Sequence, residues 1–187
     1  MTKTRLTPSD WASAALEAIA DGGVAAVIVE ALAPRVGASK GSFYWHFQDR
    51  SALLEAALDM WETRRTEAIV AELKDVEDPL ERLRRLFAIV FGNPHGGRIE
   101  AALNAQPTHP QVAPVLKRVT ERRIGFMAEA LEGLGFGAED ARHRSLIFYT
   151  AYLGFFSVAH GQPHAVPRSG PELDAYVETL LQILTRR

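Results

Sequence analysis

The densest run of chemically useful side chains is one short string, Gly37-Ala-Ser-Lys-Gly-Ser-Phe-Tyr-Trp-His-Phe47. Lys40, Ser42, Tyr44, Trp45 and His46 bring an ammonium, a hydroxyl, a phenol, an indole and an imidazole close together. Donors of these kinds suit phosphate oxygens and base edges. Phe43 and Phe47 are four residues apart and would pack inward with Val36, Leu32 and Trp11. That leaves the polar members free to face elsewhere. Gly37 stands where a tight turn needs a left-handed residue, and Ala38 is small enough to lie beneath two helices. A short helix, a glycine turn and a second short helix make a helix-turn-helix signature. A glycine turn alone would signify no more than a corner in an all-α core.

Other chemistries find little support. The chain has no cysteine, which excludes disulfides, thiolate zinc sites and cysteine nucleophiles. His46 belongs to the string, His95 and His109 sit beside loops, and His143 is near a helix start. His160 and His164 are four apart, but Gly161 and Pro163 separate them, so they share no helical face. No metal site and no cofactor is expected. No serine is framed as a nucleophile elbow, and no phosphate-cradling glycine loop follows a strand. An enzyme is therefore not expected.

The elements that must position the string are helical. Length (187 residues), 47% apolar and 24% charged residues describe a globular chain. Trp11, Ala14, Ala15, Ala18 and Ile19 form one buried stripe, with Thr7 as cap, Pro8 at the first position and Gly22-Gly23 as stop. Further helices are expected over Val29–Val36, about 39–46, and from Asp49 or Ser51 to about Asp75. Leu80–Phe91 follows. A break at Asn93–Gly97 should precede a short helix over Ile99–Ala105. Pro110–Leu134 should carry a basic face of Lys117, Arg118, Arg122 and Arg123. Glu139–His160 and Glu172–Leu184 come last. The expectation is an all-α fold of about nine helices, with residues 1–50 as a three-helix DNA-binding domain and 51–187 as a helical bundle.

The string Ala33 to Phe47, with Arg50 and Leu53-Leu54, resembles the DNA-binding domain of the TetR family of bacterial transcriptional regulators. The resemblance covers residues 7–60; beyond them it rests on length and helix number. It implies that the helix from Ser39 enters the major groove. Thr7, Ser39, Lys40, Gly41, Ser42, Tyr44, Trp45, His46 and Arg50 are then the candidate DNA contacts. Two departures stand out. Pro34 lies inside the motif's first helix, and Ile28 occupies the place of its usual Ser or Thr cap.

Charge agrees only thinly. The whole chain carries a net −2, and residues 1–50 balance five basic against five acidic side chains. Contact through a few placed donors and helix N-termini is expected rather than a bulk positive field. In the rest of the chain aromatics are plentiful. Trp61, Phe87, Phe91, Phe126, Tyr149 and Tyr152 are the candidates for an apolar effector cavity implied by the family, with Arg64, His95 and Asn104 as weaker ones. The helix over 139–160 is apolar on nearly all sides, so it and 172–184 are expected to pair with a second copy in a homodimer. The N-terminal stretch lacks the apolar core of a secretion signal and no long apolar run occurs, so a cytoplasmic protein without membrane contact is expected. The reading is an operator-binding regulator, a repressor released by a small apolar or aromatic effector. The alternatives are an activator, a DNA-binding protein without an effector, and a helical carrier or enzyme with a vestigial motif.

Overall fold

The computed structural model describes residues 6–187, and every regular element among them is helical. α1 (Pro8–Gly22) begins with a reciprocal cap: the Asp10 N–H donates to the Thr7 hydroxyl oxygen at 3.3 Å, and the Thr7 N–H donates to Asp10 Oδ2 at 2.8 Å. A 3₁₀ turn (Val24–Ala26) leads to α2 (Val29–Arg35). Ile28 offers α2 no side-chain cap, as its type dictates. Pro34 falls in the last turn of α2, so its missing donor removes one helical hydrogen bond and no more.

Gly37 adopts φ 68°, the left-handed turn expected of it. α3 (Lys40–Phe43) follows, with Ser39 Oγ accepting from the Ser42 N–H at 3.3 Å. It is shorter than the expected 39–46. Residues 44–46 wind as a turn, with the N–H groups of His46 and Phe47 both reaching the Phe43 carbonyl at 2.9 and 3.0 Å. The chain must double back there, because Phe47 returns to the core and Asp49 caps the next helix through the Ala52 N–H.

α4 (Arg50–Glu62), a π-helical turn (Thr63–Glu67) and α5 (Ala68–Leu73) form one continuous rod. α6 (Pro79–Phe91), α7 (Pro94–Asn104), α8 (Val112–Gly133), α9 (Ala138–Gly161) and α10 (Gly170–Thr185) complete the bundle. With the rod counted once, the described residues form nine helices.

α7 starts five residues before the expected Ile99. Asn93 accepts the Gly96 N–H at 2.7 Å and Pro94 opens the helix, so the predicted break is a cap. Gly96 and Gly97 are buried helical residues, and a Cβ on Gly97 would run into the Phe156 ring. These glycines serve close helix approach rather than a turn.

Two main apolar clusters hold the molecule. Trp11, Phe43, Leu54 and Trp61 pack with Leu103 of α7 and Val119 of α8, so the head is docked on the bundle. Phe87, Phe91, Phe148, Tyr152, Phe155 and Phe156 form an aromatic second cluster. Outside it, Ile147 of α9 and Ile183 of α10 remain 65% and 63% exposed, with Leu146 and Val158 also uncovered. Among the described residues no helix is long and apolar enough to cross a membrane.

Candidate nucleic-acid interface and bundle cavity

The helix-turn-helix is pinned from behind by aromatic contacts. The Phe43 ring meets Trp11 edge-on at 5.4 Å and stacks on Phe47 at 5.6 Å. From this base Tyr44 and Trp45 project with 59% and 88% exposure, beside exposed Ser39, Lys40 and Gly41 and half-buried Ser42 and His46. The Ser39 oxygen accepts from the backbone, which leaves its O–H proton to donate outward. Lys40 Nζ lies 2.5 Å from Glu30 Oε1 on α2. That hydrogen bond raises the Lys40 pKa and lowers that of Glu30.

Two other expected contacts are engaged within the fold. The Thr7 N–H and hydroxyl both donate to Asp10 Oδ2, at 2.8 and 2.7 Å, and hold the Asp10 carboxyl below its ordinary pKa. Arg50 donates to the carbonyls of Val27 and Val24 at 2.7 and 2.6 Å, fastening the 3₁₀ turn to the start of α4. Sequence offered no sign of that second role, because the acceptors are backbone carbonyls more than twenty residues away.

A cavity of about 40 Å³ lies between the π turn, α5, α6, α8 and α9. Phe126, Tyr149 and Tyr152 line it. Trp61 does not: it belongs to the head-side cluster, with the Arg123 guanidinium 5.3 Å from its ring centre. Phe87 is stacked on Phe148 at 3.8 Å, and Phe91 borders a separate groove of about 330 Å³ with Arg98 and Arg168. Arg64 reaches Ser13, His95 lies 2.9 Å from Glu17, and Asn104 donates to the Glu100 carbonyl, so none of these three lines the cavity.

The cavity's polar end went unrecognised in the sequence. Arg123, expected on a basic outer face, turns inward and departs there from exposed Lys117, Arg118 and Arg122. It donates to Thr66 Oγ1 at 3.0 Å, Glu100 Oε1 at 2.8 Å and the Arg65 carbonyl at 3.3 Å. Burial works against its charge, but the carboxylate of Glu100, itself only 1% exposed, outweighs that and its pKa is raised. Burial first, and Glu100 second, also push up the pKa values of Tyr149 and Tyr152, so both remain phenols at neutral pH. A signal existed: Arg123 lies four residues after Val119 and four before Met127, on the buried stripe of α8.

Comparison with known proteins agrees with this geometry. Residues 12–57 match the profile of "Bacterial regulatory proteins, tetR family". Over 70 residues the chain is 37% identical to the HTH-type transcriptional regulator TtgR of Pseudomonas putida, covering 37% of this chain and 33% of that one. It is 29% identical over 140 residues to the class A tetracycline repressor protein from transposon 1721 of Escherichia coli, covering 74% and 60%. The chain therefore aligns with a third to three fifths of the length of these curated relatives. Among solved structures, a transcriptional regulator from Rhodococcus sp. Rha1 superimposes with a TM-score of 0.78 at 20% identity, covering 96% of both chains. FadR of Bacillus subtilis, solved in complex with stearoyl-CoA, gives 0.72 at 15% identity, covering 95% of this chain and 97% of that one. The match to the tetR family of bacterial regulatory proteins covers residues 12–57, where the aromatic-pinned turn at Gly37 lies, and the fold is shared with these solved structures along nearly the whole length.

Proposed function

We propose that this protein is a homodimeric, sequence-specific DNA-binding regulator that acts as a repressor and is released from its operator by a small effector. Residues 1–50 read DNA, and residues 51–187 sense and dimerise. The observation that carries the reading is the uncovered surface of Lys40, Tyr44 and Trp45 over the buried Phe43. A core-facing corner would have no use for an indole left almost wholly in water. Ser39, Ser42 and His46 add donors to the same surface, and Thr7 and Arg50 contribute there by holding α1 and α4 in place.

Dimerisation follows from the uncovered aliphatic residues of α9 and α10, Leu146, Ile147, Val158 and Ile183. Paired across a two-fold axis, these helices form a four-helix contact and set two α3 helices to meet successive major grooves about 34 Å apart. The cavity sits against the rod that begins beneath the DNA-reading head, so a ligand that reshapes it biases the separation of the two α3 helices. The stearoyl-CoA complex of the structurally similar FadR supports a small molecule as effector in general terms.

The test starts with an operator selected from a random DNA pool. The double variant Lys40→Ala/Tyr44→Ala is expected to lose operator affinity by roughly a hundredfold or more, with the dimer intact by sedimentation. Unchanged affinity overturns the reading.

A further inference from the structure

The groove of about 330 Å³ that Phe91 borders lies between the end of α6, the start of α7, the end of α9 and the loop that follows it. Its floor is aromatic. The Phe91 and Phe155 rings meet edge-on at 5.0 Å, and those of Phe155 and Phe156 do so at 5.2 Å. Its rim is basic: Arg98, His160 and Arg168 line it, and no lining residue is acidic. Arg98 engages Asp21 Oδ1 through Nη2 alone, at 2.9 Å, and its side chain is half exposed. Among the described residues its Nε and Nη1 have no partner, and the exposed Arg168 guanidinium has neither a hydrogen bond nor an ion pair. Asp21 is already shared, since Arg35 of α2 reaches its other oxygen at 3.3 Å. Glu17, on the same helix as Asp21, is taken by His95 at 2.9 Å. This corner of the molecule therefore holds more guanidinium than carboxylate.

From this arrangement we infer that the groove is a binding site for an aromatic carboxylate, with its ring on the phenylalanine floor and its carboxylate at the Arg98 and Arg168 rim. An aryl body extends the edge-to-face pattern of the floor. A carboxylate supplies the charge that Asp21 alone cannot give to Arg35, Arg98 and Arg168, and its plane matches a guanidinium. His160 adds an N–H donor in either protonation state. An amine would meet two like charges. A neutral alcohol would leave Arg168 unanswered. The volume stands at the low end of the range for ligand pockets and suits a body of one or two rings. The site shares no lining residue with the bundle cavity, so it fills whether or not that cavity takes an effector. Val158, on the face proposed to pair with a second copy, precedes Ala159 of the groove by one residue, a rotation of about 100°. The groove thus looks away from the pairing face. A ligand that draws Arg98 from Asp21 loosens an ion pair that ties the end of α1 to α7, leaving Asp21 to Arg35.

The experiment is calorimetric titration of the intact protein, without DNA, using naphthoate, naphthalenemethanol, naphthalenemethylamine and octanoate. Naphthoate is expected to bind at least about fivefold more tightly than naphthalenemethanol, the scale of a half-exposed ionic contact, and naphthalenemethylamine more weakly than either. Octanoate, which lacks the ring, should also bind more weakly than naphthoate. Arg168 is exposed in a loop, so Arg168→Gln leaves the fold intact; it should remove most of the preference for the acid and keep the alcohol within about twofold. Ala159→Phe sets a ring in the groove and should abolish binding of both, with helix content by circular dichroism unchanged. Equal binding of naphthoate and naphthalenemethanol, or a preference for the amine, overturns the assignment of an anion to the rim. Tighter binding of octanoate overturns the aromatic class. Naphthoate binding that survives both variants unchanged places the ligand elsewhere and overturns the site, and so does the absence of binding by any probe.

Discussion

The N-terminal head (residues 6–50) and the helical bundle that follows it treat their polar groups in opposite ways. In the head, the capping side chains lie at the surface and find partners three residues away: Thr7 with Asp10, Ser39 with Ser42, Asp49 with Ala52. In the bundle, the polar groups that matter are sunk among aromatics and joined across the chain. Arg123 reaches 57 residues back to Thr66 and 23 back to Glu100. The head keeps its donors wet and loosely engaged, as the proposed contact with DNA requires. The bundle locks a charge pair where water cannot compensate either partner. One region leaves its polar groups at the surface; the other keeps its charge pair out of water.

That contrast is broken most severely at Arg123. Substituting Met for Arg123 leaves Glu100 buried and unpaired, and removing one partner of such a pair costs about 3–5 kcal/mol. The double variant Arg123→Met/Glu100→Met should recover most of that loss, since an apolar replacement of both partners is often neutral. Urea unfolding of the three proteins reads the difference. A single variant as stable as the parent would mean that the pair is not desolvated as its burial indicates. A glycine tests the same region sterically. Gly97→Ala drives a methyl into the Phe156 ring, and overpacking of this kind costs about 1–3 kcal/mol. In the head, by contrast, Thr7→Ala removes only a cap, for about 1 kcal/mol.

The same difference in range decided what could be read from the residues alone. Thr7, Pro8, Gly37 and Ser39 do their work within one turn, so their types and spacing sufficed to place the starts of α1 and α3, and narrowed the start of α4 to a cap at Asp49 or Ser51. The inward-facing Phe43 and Phe47 were legible for the same reason, being four apart in the chain. Gly96 and Gly97 misled because a glycine pair that admits the Phe156 ring looks, in one dimension, like a pair that ends a helix. Of the expected cavity residues, Phe126, Tyr149 and Tyr152 line the wall, whereas Trp61, Phe87 and Phe91 are committed to packing. Aromatic type cannot separate the two, since both are dry. The π turn had no visible signal, because Thr63-Arg-Arg-Thr-Glu67 fits an ordinary helix as well.

The smallest expected effect is the most informative about the head. Glu30 of α2 holds Lys40 at 2.5 Å on the surface proposed to meet DNA. To contact a phosphate, Lys40 must leave that carboxylate, and the carboxylate itself then faces a polyanion. Glu30→Gln removes both penalties and should tighten operator binding by about two- to fivefold, the range of an exposed ion pair. The gain should depend on pH in one direction. Lys40 holds the Glu30 carboxyl below its ordinary pKa, so the pair is intact at neutral pH and its contribution is lost as pH falls through the folded value. Protonated Glu30 resembles the glutamine of the variant. The affinity ratio of Glu30→Gln to parent should therefore be largest near pH 7 and shrink toward one as the pH drops into the carboxylate range. Fluorescence anisotropy of one labelled operator, measured for both proteins across that range at fixed salt, gives the ratio directly. A ratio below one at pH 7 would mean that Glu30 aids binding by holding Lys40 in register, and the head's donors would then be preset rather than loosely engaged.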